Sequence, residues 1–140
     1  MTVALLIIAH APLGSATLTA ARGTLGESPL PVAVMDITYD ADPQQEQQRA
    51  ETLLVELDQG DGVLVLTDLY GSTPCNIASR LLQPGRAIHL ISGLSLPMLI
   101  RTMNYPTLPL GELAQKALSG ARDGILIQPP VATEEQLNHA

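Results

Sequence analysis

His10 and Asp68 are the two side chains of this sequence whose types could together perform nucleophilic chemistry. A carboxylate beside an imidazole fixes the tautomer of the ring and raises its basicity, because it stabilises the cationic form. The other ring nitrogen is then free to act as a nucleophile. The turn formed by Gly71, Ser72 and Thr73 leads into a predicted helix, and its N–H groups and hydroxyls can hold an oxyanion. These groups together indicate phosphoryl transfer through a phosphohistidine.

Each of these residues also has a structural interpretation. A histidine that ends a strand is more often structural than catalytic, Asp68 could cap a helix, and residues 71–74 could form an ordinary turn. The other histidines and the cysteine are interpreted as structural or solvated residues: His89 in an apolar run, His139 in the polar C-terminal segment and Cys75 near a helix start. No histidine has the spacing of a metal-binding pair, and no nucleotide-binding loop or hydrolase motif occurs, so neither a metal nor a cofactor is predicted.

The composition of the 140 residues excludes several classes of protein. Fourteen acidic and seven basic side chains give a net charge of −7, which argues against a nucleic-acid partner. The hydrophobic fraction of 46%, with no Trp or Phe, predicts an aliphatic core in a single domain. The single cysteine fits a reducing cytosol. The first apolar run, residues 3–9, is too short to span a bilayer, so direct membrane insertion is not expected.

Five apolar runs predict the strands that must position these side chains. The runs lack alternation, which is typical of strands buried on both faces of a parallel sheet. They are residues 3–9, 32–35, 63–66, 87–91 and a shorter run at 125–127. Helical spacing of apolar residues occurs between them, within residues 14–25, 43–59, 76–82, 96–103 and 110–121.

The alternation of strand and helix predicts an α/β fold, a three-layer doubly wound sheet with parallel strands in the order 2-1-3-4. In that order the first and third strands are neighbours, so their ends bring His10 and Asp68 side by side. The short last run, residues 125–127, could form an edge of the sheet or pair with a second subunit. The predicted domain covers residues 1–128, and residues 129–140 form a polar C-terminal tail.

Three stretches of the chain, taken in order, carry a resemblance to a known family. They are the first apolar run ending in His10, the segment DLYGSTPCN at residues 68–76 followed by ASR at 78–80, and SGLSLPML at residues 92–99. The second stretch is the most specific, because Asp, Gly, Pro, Asn and the Ser-Arg pair keep the family's spacing. Over residues 2–128 the chain resembles the IIA component of the mannose class (mannose, fructose and sorbose) of the bacterial phosphoenolpyruvate-dependent sugar phosphotransferase system.

The resemblance implies a cytoplasmic phosphocarrier and gives roles to the predicted site. His10 resembles the histidine that is phosphorylated on Nε2, and Asp68 resembles its partner at Nδ1. The loop at residues 71–73 corresponds to the one beside the phosphate. In such systems the phosphoryl donor is HPr and the usual acceptor is a IIB component. Members are homodimers with a fifth, antiparallel strand exchanged between subunits, which would explain the run at residues 125–127.

The chain departs from the family pattern at three places. Ala11 and Pro12 follow the histidine where glycine is usual, residues 71–74 read Gly-Ser-Thr-Pro instead of Gly-Gly-Ser-Pro, and Ser95 stands where asparagine is common. These differences concern rate and partner choice more than fold. Two alternatives remain open: a regulatory, partner-binding module whose His10 phosphorylation is only a signal, and the phosphocarrier domain of the dihydroxyacetone kinase system.

Overall fold

The four long apolar runs form the strands of one sheet, and the amphipathic segments between them form helices. The computed structural model describes residues 2–131. The strands are β1 (Ala4–His10), β2 (Val32–Ile37), β3 (Val63–Thr67) and β4 (Ile88–Ser92). The helices are α1 (Leu13–Leu25), α2 (Pro43–Leu57), α3 (Thr73–Ser79), α4 (Leu96–Met103) and α5 (Leu110–Asp123). Within the described residues, no helix is both long and apolar enough to cross a membrane.

All four strands pair in parallel in the order β2-β1-β3-β4, which confirms the predicted doubly wound α/β fold. β1 lies at the switch point of the sheet, because the chain continues to β2 on one side and returns to β3 on the other. In the register of the ladders, His10 lies opposite Ile37 and Thr67 lies opposite Ser92. The carboxyl ends of the strands therefore meet at one edge, here called the carboxyl edge, where sheets of this kind bind ligands.

Helices cover both faces of the sheet, with α1, α4 and α5 on one face and α2 and α3 on the other. Successive side chains of β1 alternate between the two aliphatic clusters. Leu5 and Ile7 pack towards α1, α4 and α5, whereas Leu6 and Ile8 pack towards α2 and α3. Both faces are buried, which explains why the strand reads as a continuous apolar run. By the same alternation, His10 follows Ile8 onto the face where α3 begins.

Helix α3 begins earlier than the apolar spacing predicts, at Thr73–Ser79 instead of residues 76–82. The physical reason is its cap. The hydroxyl of Ser72 accepts the backbone N–H of Cys75, and Pro74 occupies the first turn, where its missing N–H has no consequence. Apolar periodicity does not depend on such polar and imino residues, so the start predicted from it lies within the helix.

The described single chain contains no fifth strand. Residues 125–127 follow α5 after Gly124 and belong to no strand, and their side chains are 82–96% exposed. One residue between α5 and this segment is too short a connection to return the chain across the edge of its own sheet. The expected antiparallel pairing therefore stays a prediction about a dimer. Of the predicted tail, residues 129–131 have no regular structure, and residues 132–140 lie outside the described part of the chain.

Candidate active site

His10, the last residue of β1, and Asp68, which directly follows β3, form a hydrogen-bonded pair at the carboxyl edge. Asp68 Oδ2 lies 2.8 Å from Nδ1 of the imidazole and also accepts the backbone N–H of His10 at 3.0 Å. The two residues are 58 positions apart in the sequence and meet because β1 and β3 are neighbouring parallel strands. The structure thus brings together the two side chains that the sequence analysis paired.

The geometry of this pair defines which nitrogen of the imidazole is free. An ionised carboxylate can only accept a hydrogen bond, so Asp68 requires the proton of the neutral ring to be on Nδ1. Among residues 2–131, no group hydrogen-bonds to Nε2 of His10, and the side chain is 47% exposed. In the neutral ring, Nε2 is therefore unprotonated and has no partner among the described residues, as a nucleophilic histidine requires.

A lowered pKa keeps the Asp68 carboxylate ionised at neutral pH, and the ionised carboxylate keeps the proton of the neutral ring on Nδ1. Burial by itself raises the pKa of Asp68, whose side chain is only 9% exposed. Hydrogen bonds from the His10 ring and from the backbone N–H groups of both residues outweigh burial, so the net pKa lies below its ordinary value. Oδ1 of Asp68 is buried and has no hydrogen-bond partner within the described residues. Both hydrogen bonds that this side chain receives from another residue therefore come from His10, through Oδ2.

Some polar groups of the turn between β3 and α3 form hydrogen bonds within the turn, and others have no partner among the described residues. Gly71 has a φ of +82°, a left-handed conformation that glycine adopts without steric cost. The Ser72 hydroxyl donates to the carbonyl of Leu69 at 2.6 Å and accepts the N–H of Cys75 at 3.4 Å. Within residues 2–131, the N–H groups of Gly71 and Thr73 and the Thr73 hydroxyl make no hydrogen bond. Of the three predicted phosphate-binding residues, two therefore have donors available, whereas the Ser72 hydroxyl caps a helix.

The other candidate residues lie apart from this pair. Cys75 is buried, with its Sγ 3.8 Å from the Ser92 hydroxyl and 4.0 Å from the Ser79 hydroxyl, as a packing residue would be. His89 is exposed, whereas the sequence analysis expected it to be satisfied within the sheet; the reason is that β4 is an outer strand. Across residues 2–131, no three His, Cys, Asp or Glu side chains are grouped so that they could hold a metal ion.

Asp36, the next-to-last residue of β2, was not among the site residues predicted from the sequence. Its carboxylate accepts two hydrogen bonds from Ser15 in the first turn of α1: Oδ1 from the backbone N–H at 3.1 Å, and Oδ2 from the hydroxyl. Pro12, which precedes this helix, makes no side-chain capping bond. The available signal was a single carboxylate in an otherwise apolar run, because a charge at such a position needs a partner.

The fold and the pair define a class of protein: a doubly wound α/β domain with a carboxylate-paired histidine at the switch point of its sheet. A family model, EIIA-man, described as the fructose IIA component of the phosphotransferase system, matches residues 4–118. The chain therefore belongs to the mannose-type IIA family of the sugar phosphotransferase system. This membership gives it a role in that system, whose IIA components carry phosphoryl groups.

Curated relatives match the chain over most of its length. It is 30% identical over 129 residues to the mannose-specific EIIAB component of the phosphotransferase system from Escherichia coli strain K12, and equally to that from Shigella flexneri. The matches cover 89% of this chain but 39% of each relative. The chain thus spans about two fifths of the length of these curated relatives.

Solved structures are similar to the chain as a whole. The mannose/sorbose-specific IIA subunit from Enterococcus faecalis superimposes with a TM-score of 0.84 at 26% identity, covering 95% of this chain and 100% of that one. The EIIA component from Streptococcus agalactiae gives a TM-score of 0.78 at 22% identity, covering 89% of this chain and 96% of that one. The second similarity concerns the fold alone.

Proposed function

We propose that the chain is a phosphocarrier, which accepts a phosphoryl group from phospho-HPr on Nε2 of His10 and passes it to a IIB component in sugar uptake or its regulation. The observation that supports this function is the 2.8 Å contact between Nδ1 and Asp68 Oδ2 on an imidazole side chain that is 47% exposed. Both partners are those expected for a IIA component. We propose a cytoplasmic location for the same reason, because donor and acceptor are expected there.

The proposed transfer is a displacement at phosphorus. The lone pair of Nε2 attacks the phosphorus of the phosphohistidine on HPr, the P–N bond of the donor breaks, and its electron pair returns to the donor's ring nitrogen. The His10 ring becomes cationic when the new P–N bond forms, because Nδ1 keeps its proton. Ionised Asp68, 2.8 Å from Nδ1, stabilises that charge. Onward transfer breaks the same bond towards the IIB component and returns the ring to its neutral tautomer.

The turn after β3 is proposed to hold the oxygens of the phosphoryl group. The N–H groups of Gly71 and Thr73 and the Thr73 hydroxyl are the available donors, and the capping serine between them shapes the turn. No lysine or arginine occurs in residues 10–15, 67–76 or 92–97, which begin at the last residues of β1, β3 and β4. Neutral donors therefore take this role, and they allow a chain with a net charge of −7 to receive an anion.

The test is phosphorylation of the purified protein with phosphoenolpyruvate, enzyme I and HPr, followed by incubation with a mannose-class IIB component. We expect the wild type to gain one acid-labile, base-stable phosphate and His10→Ala to gain none. His89→Ala, which changes an exposed histidine of β4, is the matched control and should be phosphorylated like the wild type. A wild type that gains no phosphate, or a His10→Ala protein that still gains it, would contradict the proposal. Phosphorylation without onward transfer would favour the regulatory alternative.

We further propose that two copies form a homodimer by exchanging residues 125–127. Within the described residues, β4 has a neighbouring strand on one side only, and a cleft of about 600 Å³ runs beside it, lined by α3, β4 and α5. The three apolar side chains of the segment are 82–96% exposed in a single chain, and pairing with an open strand edge would bury them. Such an exchange is self-complementary, because each copy supplies the same segment and the same cleft.

Light scattering coupled to size-exclusion chromatography tests the homodimer. We expect twice the chain mass for the wild type and the single-chain mass for Leu126→Asp, because an unpaired carboxylate in the buried segment opposes association. Val55→Asp is the matched control, since Val55 is another apolar side chain that is 72% exposed, on α2. It should remain dimeric. A monomeric wild type, or a Leu126→Asp protein that stays dimeric, would contradict the exchange.

A further inference from the structure

Two helices at the carboxyl edge carry a carboxylate on their first turn, but the carboxylates come from different places. Asp42 is the local cap of α2 and accepts the N–H of Gln44 at 3.0 Å. The cap of α1 comes from the neighbouring strand, where Asp36 accepts both the N–H and the hydroxyl of Ser15. Pro12, at the cap position of α1, has no side-chain acceptor to offer. Helix α1 therefore depends on β2 for its capping.

The first turn of α1 packs tightly against the strand that caps it. A Cβ atom on Gly14 would lie 2.8 Å from Asp36 Oδ1 and 2.9 Å from Val34 Cγ1, so only glycine allows the carboxylate this approach. The backbone N–H of Ala11 adds a further bond to the carbonyl of Ile37 at 2.9 Å. The segment after β1 is thus fastened to the end of β2 at both of its ends.

His10 directly precedes this fastened segment. Asp68 holds its ring and its N–H from the side of β3. On the side of β2, Asp36 holds the chain that follows it, and among residues 2–131 it is the one side chain outside α1 that hydrogen-bonds to residues 11–15. The two carboxylates therefore support the histidine from opposite neighbours of β1.

We propose that Asp36 is a positioning residue for His10. By fastening the first turn of α1 to β2, it restricts the backbone that carries the imidazole, so that Nε2 keeps the direction that Asp68 gives it. Asp36 makes no hydrogen bond to the ring within the described residues and acts through the backbone. The inference rests on the proposed phosphorylation of His10, because small displacements of a reacting atom strongly slow a transfer step.

The test compares three variants with a matched control. Asp36→Ala removes both capping bonds, Ser15→Ala removes only the hydroxyl bond, and Asp36→Asn keeps an amide oxygen that can accept the Ser15 N–H. Asp42→Ala removes the local cap of α2 at the same edge and should lower the free energy of unfolding similarly. Rates are measured with phospho-HPr and with phosphoramidate, a small donor that needs no protein docking.

We expect Asp36→Ala to slow phosphorylation by both donors about tenfold to a hundredfold. The KM for phospho-HPr should be unchanged, because the docking surface is intact. Ser15→Ala should be slowed less, Asp36→Asn should recover most of the rate, and Asp42→Ala should react like the wild type. Nitrogen NMR of the His10 ring should show a single tautomer in the wild type and a mixture in Asp36→Ala, a change that lower stability alone does not cause.

Equal rates and equal ring spectra for Asp36→Ala and Asp42→Ala would overturn the positioning role. If Asp36→Ala does not fold, Ser15→Ala decides the question, and an unchanged rate and spectrum there would overturn it as well. A wild type that accepts no phosphate from either donor would instead refute the proposed function. In that case the ring spectra of the variants still decide whether Asp36 orients His10.

Discussion

The carboxyl edge at β1 and β3 differs from the outer edge of β4 in whether its polar and apolar groups find partners within one chain. At the first, Nδ1 and the backbone N–H of His10 are bonded to Asp68, and Nε2 has no hydrogen-bond partner among the described residues. At the second, a strand edge and a cleft stand open while residues 125–127 expose their apolar side chains. The contrast indicates that the proposed chemistry needs only the single chain, whereas the proposed dimer would form through the β4 edge.

Replacing Asp68 should give the largest effect at the first region. Asp68→Asn keeps the shape of the side chain, but the neutral amide no longer stabilises a cationic ring or demands the proton on Nδ1. We expect phosphorylation by phospho-HPr to slow by about a hundredfold or more, measured by rapid quenching with labelled phosphate. Asp61→Asn is the control, because Asp61 also accepts a backbone N–H, from Thr2 at 2.8 Å, far from the site. Similar rates for the two variants would remove Asp68 from the mechanism.

Dissociating the proposed dimer at the β4 edge should leave the reaction at His10 unchanged. If Leu126→Asp is monomeric, its His10 should still be phosphorylated by phosphoramidate at the wild-type rate, because every described bond that orients the ring lies within one chain. The measurement combines light scattering with the rate of phosphate incorporation. A folded monomer that has lost the reaction would contradict this prediction, since it would mean that the second copy completes the site.

The pairing of His10 with Asp68 could be predicted from the sequence, because it follows from strand order. Uninterrupted aliphatic runs mark strands buried on both faces, and the residues that end neighbouring parallel strands must meet. The contact of Asp36 with Ser15 could not be predicted in this way. It joins residues 21 apart on different elements, and it depends on how closely α1 packs at Gly14.

The pairing of residues 125–127 could not be predicted from the sequence for a different reason. The apolar run was visible in the sequence, but a strand is defined by its partner, and no partner strand is present in the described chain. The start of α3 was missed for a local reason, since a capping hydroxyl and a proline define it and neither contributes to apolar spacing. Periodicity therefore predicted the layers of the fold better than the ends of its elements.

The pH dependence of the free energy of unfolding tests how much the hydrogen bonds between Asp68 and His10 stabilise the fold. The folded pKa of Asp68 lies below its ordinary value of 3.8, so the bonds to His10 stabilise the ionised, folded form. This stabilisation is fully present above the unfolded pKa and is lost as the pH falls through the folded one. We expect the difference in free energy of unfolding between wild type and Asp68→Asn to shrink in acid, as the Asp68 carboxylate of the wild type becomes protonated. Denaturant titrations at a series of pH values measure it, and a difference that grows in acid would reverse the sign.

Substitution of Gly71 should change stability and rate the least of the site variants, because it alters only the backbone of the turn after β3. An added Cβ would meet no atom within 4 Å, so the penalty in Gly71→Ala comes only from the φ of +82° and should be about 1–2 kcal/mol in the free energy of unfolding. Gly23→Ala is the matched control: Gly23 also has open space around it but lies in α1, where alanine should stabilise by about 0.5–1 kcal/mol. Denaturant titration should thus give opposite signs, and only Gly71→Ala should slow phosphorylation, because the turn must change its conformation to relieve the strain. If Gly71→Ala keeps both its stability and its rate, the left-handed turn and its N–H group are not part of the site.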